Sequence, residues 1–305
     1  MEKTPVLLLL FNRPKYTNFL IREIKKYSPT SIYIHCDGPR DGSALDKKKI
    51  NLIKKIIKKK INWKCKKKIK FQEKNIGLRN ACIAGIDFLF KNEKKGIILE
   101  DSMLPTKNFF EFCDTLLVKY KENKKVSLIS GWNPISEYKI GESYTFSEHP
   151  KIWGWATWKR SWSLFDRNMN NWPKQKKIQW MKYKLKKPFF FKFYWEKIFD
   201  DSFLNKTKTW DYNMVYSNWC SNALSIVPKY NLIINQDLNA KELTTHKNNF
   251  IVKIKKKNLR FPLIHPYKIV ANNNYDNIFY SKFYNFKFFF FNICLARIFK
   301  KIFKK

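Results

Sequence analysis

Over the first 131 residues, short apolar runs alternate with longer stretches of helical periodicity. The runs 6–11, 31–36, 69–72, 96–99 and 126–130 are short and largely apolar, the pattern of strands covered on both faces. Between them, residues 16–27, 46–61, 78–90 and 106–120 repeat apolar side chains at the helical period. Strand followed by helix, repeated, predicts an α/β fold: a mostly parallel, right-handed wound sheet flanked by helices. Ligands of such sheets sit at the carboxyl ends of the strands, so the loops just after them carry the candidate chemistry. Beyond residue 131 the pattern changes. Residues 132–180 hold seven of the eleven Trp and few strand signals, residues 174–222 read as two or three helices, and 225–235 return to short strands.

The 305 residues carry 62 Lys plus Arg against 24 Asp plus Glu, a formal net charge of +38. With 44% apolar and 17% aromatic residues the chain can bury a large core, which excludes a mainly disordered protein. No internal repeat is visible, which excludes solenoids and propellers. The charge is nearly all lysine: eight of the 62 are Arg. A surface that reads bases favours the planar, bidentate fork of Arg, so the Lys excess argues for no specific nucleic-acid partner. It still makes a field that attracts phosphates, nucleotides and acidic membranes. Thirteen of these Lys fall within residues 46–70, where Ile50, Ile53 and Ile57 form one apolar stripe, so that stretch reads as a surface helix with a solvated face.

Six scattered Cys with no C-x-x-C pair read as reduced thiols of a cytosolic protein. The opening apolar run is too short for a membrane span and reads as a buried first strand. From Lys282 to Lys305 the chain has seven basic residues, no acid and a dense run of Phe, Ile and Leu. It reads either as a basic amphipathic tail lying on the inner face of the cell membrane or as a helix packed on the protein's own core.

Three strand ends are chemically rich: Phe11-Asn12-Arg13-Pro14, His35-Cys36-Asp37-Gly38-Pro39-Arg40 and Leu99-Glu100-Asp101-Ser102. Paired carboxylates at a strand end can hold a hard divalent cation that bridges a diphosphate, or can cap the next helix. Further on come Asn75-Ile76-Gly77-Leu78-Arg79, Ile129-Ser130-Gly131-Trp132-Asn133, His149-Pro150-Lys151-Ile152-Trp153-Gly154-Trp155, Thr209-Trp210-Asp211-Tyr212 and Pro228-Lys229-Tyr230-Asn231-Leu232. In this order the series resembles the bacterial nucleotide-sugar glycosyltransferases of the family 2 type with the GT-A fold, often labelled hemolytic-protein-like, and more distantly the N-acetylglucosaminyltransferase I group. The resemblance covers about residues 4–266.

What the resemblance implies is a GT-A domain over 1–266, with a nucleotide-binding half (1–131) and an acceptor-side half (132–266); it leaves the basic amphipathic tail over 267–305 unexplained. It implies transfer of a sugar from a nucleoside diphosphate to an acceptor hydroxyl, with inversion, in the synthesis of surface polysaccharide or glycolipid; the acceptor would be a glycan or a lipid-linked oligosaccharide. A UDP-sugar is the favoured donor. Arg13 would contact the nucleotide, Asp37 the pyrimidine edge and Arg79 the diphosphate. Glu100 and Asp101 fall on an acidic motif whose third carboxylate is here Ser102. Asp101 and His246 would hold a divalent metal, Mn2+ or Mg2+. Asp211 would be the general base, although a residue that opens a helix can also be only its cap. His149, Trp153 and Trp155 would face the acceptor, with a ring as stacking floor for a sugar. The rival expectations are a relative that binds nucleotide or glycan without transferring, and a nucleic-acid-binding protein.

Overall fold

In the computed structural model, the residues described are 3–135, 137–184, 187–236, 259–284, 286, 290 and 291. The chain begins with β1 (Val6–Leu10), which feeds α1 (Pro14–Tyr27), where Pro14 takes the first helical turn and needs no donor there. Then come β2 (Ser31–Cys36), α2 (Ala44–Lys60), β3 (Lys66–Phe71), α3 (Gly77–Phe90) and β4 (Lys95–Glu100). A short β5 (Met103–Pro105) leads into α4 (Lys107–Lys119) and β6 (Val126–Ser130). The second half holds β7 (Tyr144–Ser147), β8 (Trp155–Trp158), α5 (Lys159–Trp162), α6 (Trp172–Lys177), α7 (Trp180–Lys184), α8 (Phe189–Phe203), α9 (Asp211–Cys220), β9 (Leu224–Pro228), β10 (Ile233–Asn235) and α10 (Asn273–Phe283).

Eight strands form one sheet in the order β3-β2-β1-β4-β8-β6-β9-β7, and β5 pairs with β10 in a separate ribbon. The first four strands are mutually parallel, and β6 and β9 are parallel to each other. β8 runs antiparallel between β4 and β6, and β7 runs antiparallel on the edge beside β9. This is the mostly parallel α/β sheet with flanking helices that the residue pattern implies. Burial on both faces is visible within β1: Val6, Leu8 and Leu10 join one core with α1, α2 and α4, while Leu7 and Leu9 join another under α3.

Two elements depart from the sequence expectation. β3 starts at Lys66, inside the lysine run, because it is the outermost strand and its charged side chains reach solvent; lysines also guard such an edge against pairing with another chain. β8 lies in the Trp-rich stretch that carries few strand signals, yet it occupies the middle of the sheet. Trp155 and Ala156 point to opposite, fully covered faces, so no polar alternation marks the strand.

A third core is built from α8, α9 and α10 around Trp172, Trp195, Phe199, Tyr216 and Trp219, and includes Val227 of β9. The described residues from 267 to 284 pack on the body of the protein. Ala271 bridges to Phe146 on β7, and Tyr275, Phe279 and Tyr280 of α10 are buried in this core. Lys151, fully buried, holds α10 in place: its ammonium lies 4.0 Å from Asp276 and over the rings of Tyr275 and Phe279. The part of the basic tail at 285, 287–289 and 292–305 falls outside the described residues.

Candidate active site

A cleft of about 380 Å³ opens at the carboxyl ends of β1, β2 and β4. Arg13, Asp37, Arg40, Asn75, Glu100 and Asp101 line it, so residues from four loops far apart in sequence meet in one place. Two of the chain's turns are tied together by Asp101. Its backbone N–H donates to Leu9, its carboxylate accepts from the Phe11 N–H at 3.4 Å, and Arg13 Nη1 lies 3.2 Å from Oδ1. Asp101 is nearly buried, while Arg13 keeps almost half of its side chain open to solvent. Glu100, the last residue of β4, lines the same cleft beside it.

Asp37 is built into the floor. One carboxylate oxygen accepts the N–H groups of Gly38 (2.8 Å) and Ile76 (3.0 Å), and the other accepts Asn75 Nδ2 at 2.9 Å. Ile76 caps α3, so the buried carboxylate sits at the positive end of that helix and holds the loop after β2 against the loop after β3. These bonds leave Oδ2 with about one further acceptor position, the feature that contact with a base N–H requires. The two loops pass so closely that a Cβ on Gly38 would stand 2.4 Å from the Lys74 backbone, and Gly77 opens α3 with φ +80°.

Arg79 does not line the cleft. Its Nη2 donates to the Arg167 carbonyl at 2.8 Å, and α3 presents Leu78, Ala81 and Cys82 instead. The helical period accounts for this: the first turn of α3 faces the cleft at 78 and 81–82, which turns position 79 toward the loop at 166–168. A basic residue that sequence reasoning missed takes a place on the rim. Arg40 donates twice to the buried Asp46, from Nε at 2.7 Å and Nη2 at 3.0 Å, and Asn12 donates to the same carboxylate at 2.7 Å. The Arg40 hydrogen bonds hold the Asp46 carboxyl below the usual carboxylate range. The signal was present as Ser43-Ala44-Leu45-Asp46, a capping box: Ser43 Oγ accepts the Asp46 N–H. Its carboxylate, however, turns away from the cap to gather Asn12 and Arg40.

Asp211 is the first residue of α9. Thr209 Oγ1 donates to it at 2.7 Å and the Tyr212 N–H at 2.9 Å, so its carboxylate satisfies a free N–H of the first turn while Trp210 holds the cap position. Its charge also reaches the hydroxyls of Tyr194, Tyr212 and Tyr284, whose ionisation is opposed first by burial; Tyr212 is pushed up to about 12. Asp211 does not line the cleft. Its neighbour Trp210 stacks on Trp155, ring centroids 5.9 Å apart, in the same core as Cys82, which does line the cleft.

The acceptor-side expectations divide. Trp155 is 1% exposed inside the sheet, with no face free for a sugar ring. His149 is buried among Trp195, Phe279, Tyr280 and Tyr284, and burial followed by the nearby Lys151 charge holds its ring well below the ordinary histidine pKa. Trp155 belongs to the core because Trp210 and Met214 of α9 and the apolar face of α3 pack on it, and His149 because α8 and α10 fold over it, which adjacent sequence cannot reveal. Trp153 stays partly exposed against Trp132, ring centroids 4.2 Å apart. His246 lies outside the described residues. Ser102 is buried at the start of the β5–β10 ribbon, its carbonyl accepting the Gln236 N–H. Among the described residues no group of three or more His, Cys, Asp or Glu gathers as a metal cage, and no helix is long and apolar enough to cross a membrane.

Fold and cleft define the class as α/β and Rossmann-like, with a polar crevice at the strand ends of the parallel half. No family model and no curated protein matches the chain. Among solved structures it is similar to 4-diphosphocytidyl-2C-methyl-D-erythritol synthase from Anaerococcus prevotii, with 9% identity, 54% of this chain and 75% of that one covered, and a TM-score of 0.33. It is also similar to a UDP-glucose pyrophosphorylase complexed with UDP-glucose (11%, 56% and 83%, 0.32) and to HddC from Yersinia pseudotuberculosis complexed with GMP-PN (10%, 52% and 77%, 0.31). Overlaps at these TM-scores carry no argument about the activity of this chain.

Proposed function

We propose that the chain is a glycosyltransferase that moves a sugar from a nucleoside diphosphate, UDP favoured, to an acceptor hydroxyl of a glycan or lipid-linked oligosaccharide. The observation that carries this reading is the convergence of Arg13, Asp37, Glu100 and Asp101 in one cleft at the strand ends. Asp37 accepts the ring N–H of the base from Oδ2. Arg13 turns its exposed guanidinium to the diphosphate, where a planar fork bonds two oxygens at once. Asp211 takes the proton from the acceptor hydroxyl as the hydroxyl oxygen bonds to the anomeric carbon. On the opposite face the bond from that carbon to the diphosphate oxygen breaks, and the leaving group departs with the electron pair and inverted stereochemistry at the sugar.

Glu100 and Asp101 fit one mode of cation binding: Mg2+ or Mn2+ held by one or two carboxylates, with water and the diphosphate filling the other positions. When bound, the ion would neutralise charge on the departing diphosphate. Asp101 would then be shared with Arg13. Ser102 and the Arg13–Asp101 contact favour a second reading, a relative that binds nucleotide without transferring.

The test is thermal stabilisation of the purified chain by UDP, GDP, CMP and dTDP and their sugars, with and without Mn2+, followed by product assay. A shift with one nucleotide family, and transfer that Asp211→Asn abolishes while the shift persists, is the expected result. Stabilisation without transfer selects the second reading, and no stabilisation by any nucleotide refutes both.

A further inference from the structure

Helix α8 is apolar on more than one side. Phe191, Trp195, Phe199 and Ser202 form the stripe buried against the third core. A surface helix normally turns polar side chains away from such a stripe. Here Phe189, Phe190 and Phe193 stand outside it, and Phe290 and Phe291 join them. Phe290 lies 5.5, 5.2 and 4.9 Å from Phe189, Phe190 and Phe193 by ring centroid, and Phe291 lies 6.3 Å from Phe190. None of the five belongs to any buried core of the protein. Phe189 is 63% exposed and Phe291 56%.

We propose that this five-phenylalanine face docks the protein onto an anionic bilayer interface, with α8 lying in the membrane plane. Charge decides between the possible occupants. Lys192 lies among the rings on α8, the first turn of α8 has no acid, and the sequence from Lys282 to its end has seven basic residues and no acid. A second copy of a chain with net charge +38 is repelled, whereas a surface of acidic lipid is attracted. Phenyl rings enter the acyl boundary while lysine heads stay with the phosphates, the arrangement of interfacial helices. No described helix is long and apolar enough for the alternative of spanning. The docking does not rest on the sugar-transfer reading, and its test uses no nucleotide.

The full chain is sedimented with vesicles of phosphatidylcholine alone and of phosphatidylcholine with an equal part of phosphatidylglycerol. Binding is expected only to the mixed vesicles. Phe189→Ser, at a ring whose aromatic neighbours are Phe190, Phe193 and Phe290, should weaken it about tenfold, and Lys192→Gln about fivefold, both with unchanged melting temperature; Phe291→Ser serves if Phe189→Ser melts early. The proposal is overturned if the intact chain fails to sediment with either vesicle. It is equally overturned by phenylalanine variants that bind as the parent does, or by a vesicle-free dimer that they dissociate.

Discussion

Removing Asp276 tests the logic by which the C-terminal helix is held. Its carboxylate is fully buried and accepts Ser147 Oγ at 2.5 Å and the Glu148 N–H at 2.8 Å. Lys151 in turn donates to the same Ser147 oxygen at 2.8 Å and to the His149 carbonyl at 3.4 Å. Burial pushes the Lys151 ammonium down to about 8, and the Asp276 charge opposes that fall. Asp276→Ala leaves the ammonium buried with only neutral partners, a change that typically costs about 4 kcal/mol. In a protein of this size that is about 8 °C in Tm. The pH dependence separates this cause from simple loss of packing. A lysine with a depressed folded pKa binds fewer protons folded than unfolded between that pKa and the unfolded value of about 10.4, so stability rises with pH across that window. In the parent the rise starts near 8. In the variant it starts lower, because the opposing charge is gone, so between pH 6 and 8 the variant gains up to about 1.4 kcal/mol per unit while the parent does not. Guanidinium unfolding at pH 6, 7 and 8 should show the difference between the two proteins narrowing as pH rises, and Lys151→Met in the Asp276→Ala background should restore most of the loss. A difference that stays constant with pH, or a double variant as unstable as Asp276→Ala, would refute the reasoning.

Three further outcomes follow from the cleft. Gly38→Ala forces a Cβ to 2.4 Å from the Lys74 backbone; it should cost about 2 kcal/mol in chemical denaturation and remove nucleotide stabilisation with it. Arg13→Met should weaken binding of a nucleoside diphosphate about thirtyfold in calorimetry while changing binding of the nucleoside little, since the lost contact is to charged oxygens. Asp46→Asn should lower Tm at pH 7 and converge with the parent in acid: a carboxyl held below its usual range contributes stability that is lost as pH falls through the carboxylate range.

Much of the nucleotide half was legible because its signals are local. Val6 to Leu10 has no polar position, so a strand covered on both faces follows from the run alone. Ile50, Ile53 and Ile57 line up on one face of α2 because they are three and four apart. The loops at Arg13, Asp37 and Asp101 could be placed together from β-α alternation, since parallel strands end on the same side. Arg79 could not be aimed from its position in a motif: whether residue 78 or 79 faces the cleft depends on the rotation of α3, which is set by packing against β1, β2 and β4.

The sequence by itself determined the α/β alternation, the basic lysine surface and the cleft-forming strand ends, because each rests on near neighbours and on the two periods of the backbone. Beyond residue 131 the helices over 174–222 and the strands over 225–235 were also legible, while tertiary structure alone decided the central strand β8 and what its aromatic neighbours do. Whether Trp155 is a strand core residue or a sugar platform depends on Trp210 and Met214 of α9 packing on it, and whether His149 meets solvent depends on α8 and α10 closing over it from 40 or more positions away. Apolar rings look alike in sequence whether they fill a core or face outward. The same composition therefore yields buried Phe191 and exposed Phe189 two residues apart, separated only by which side of one helix meets the protein.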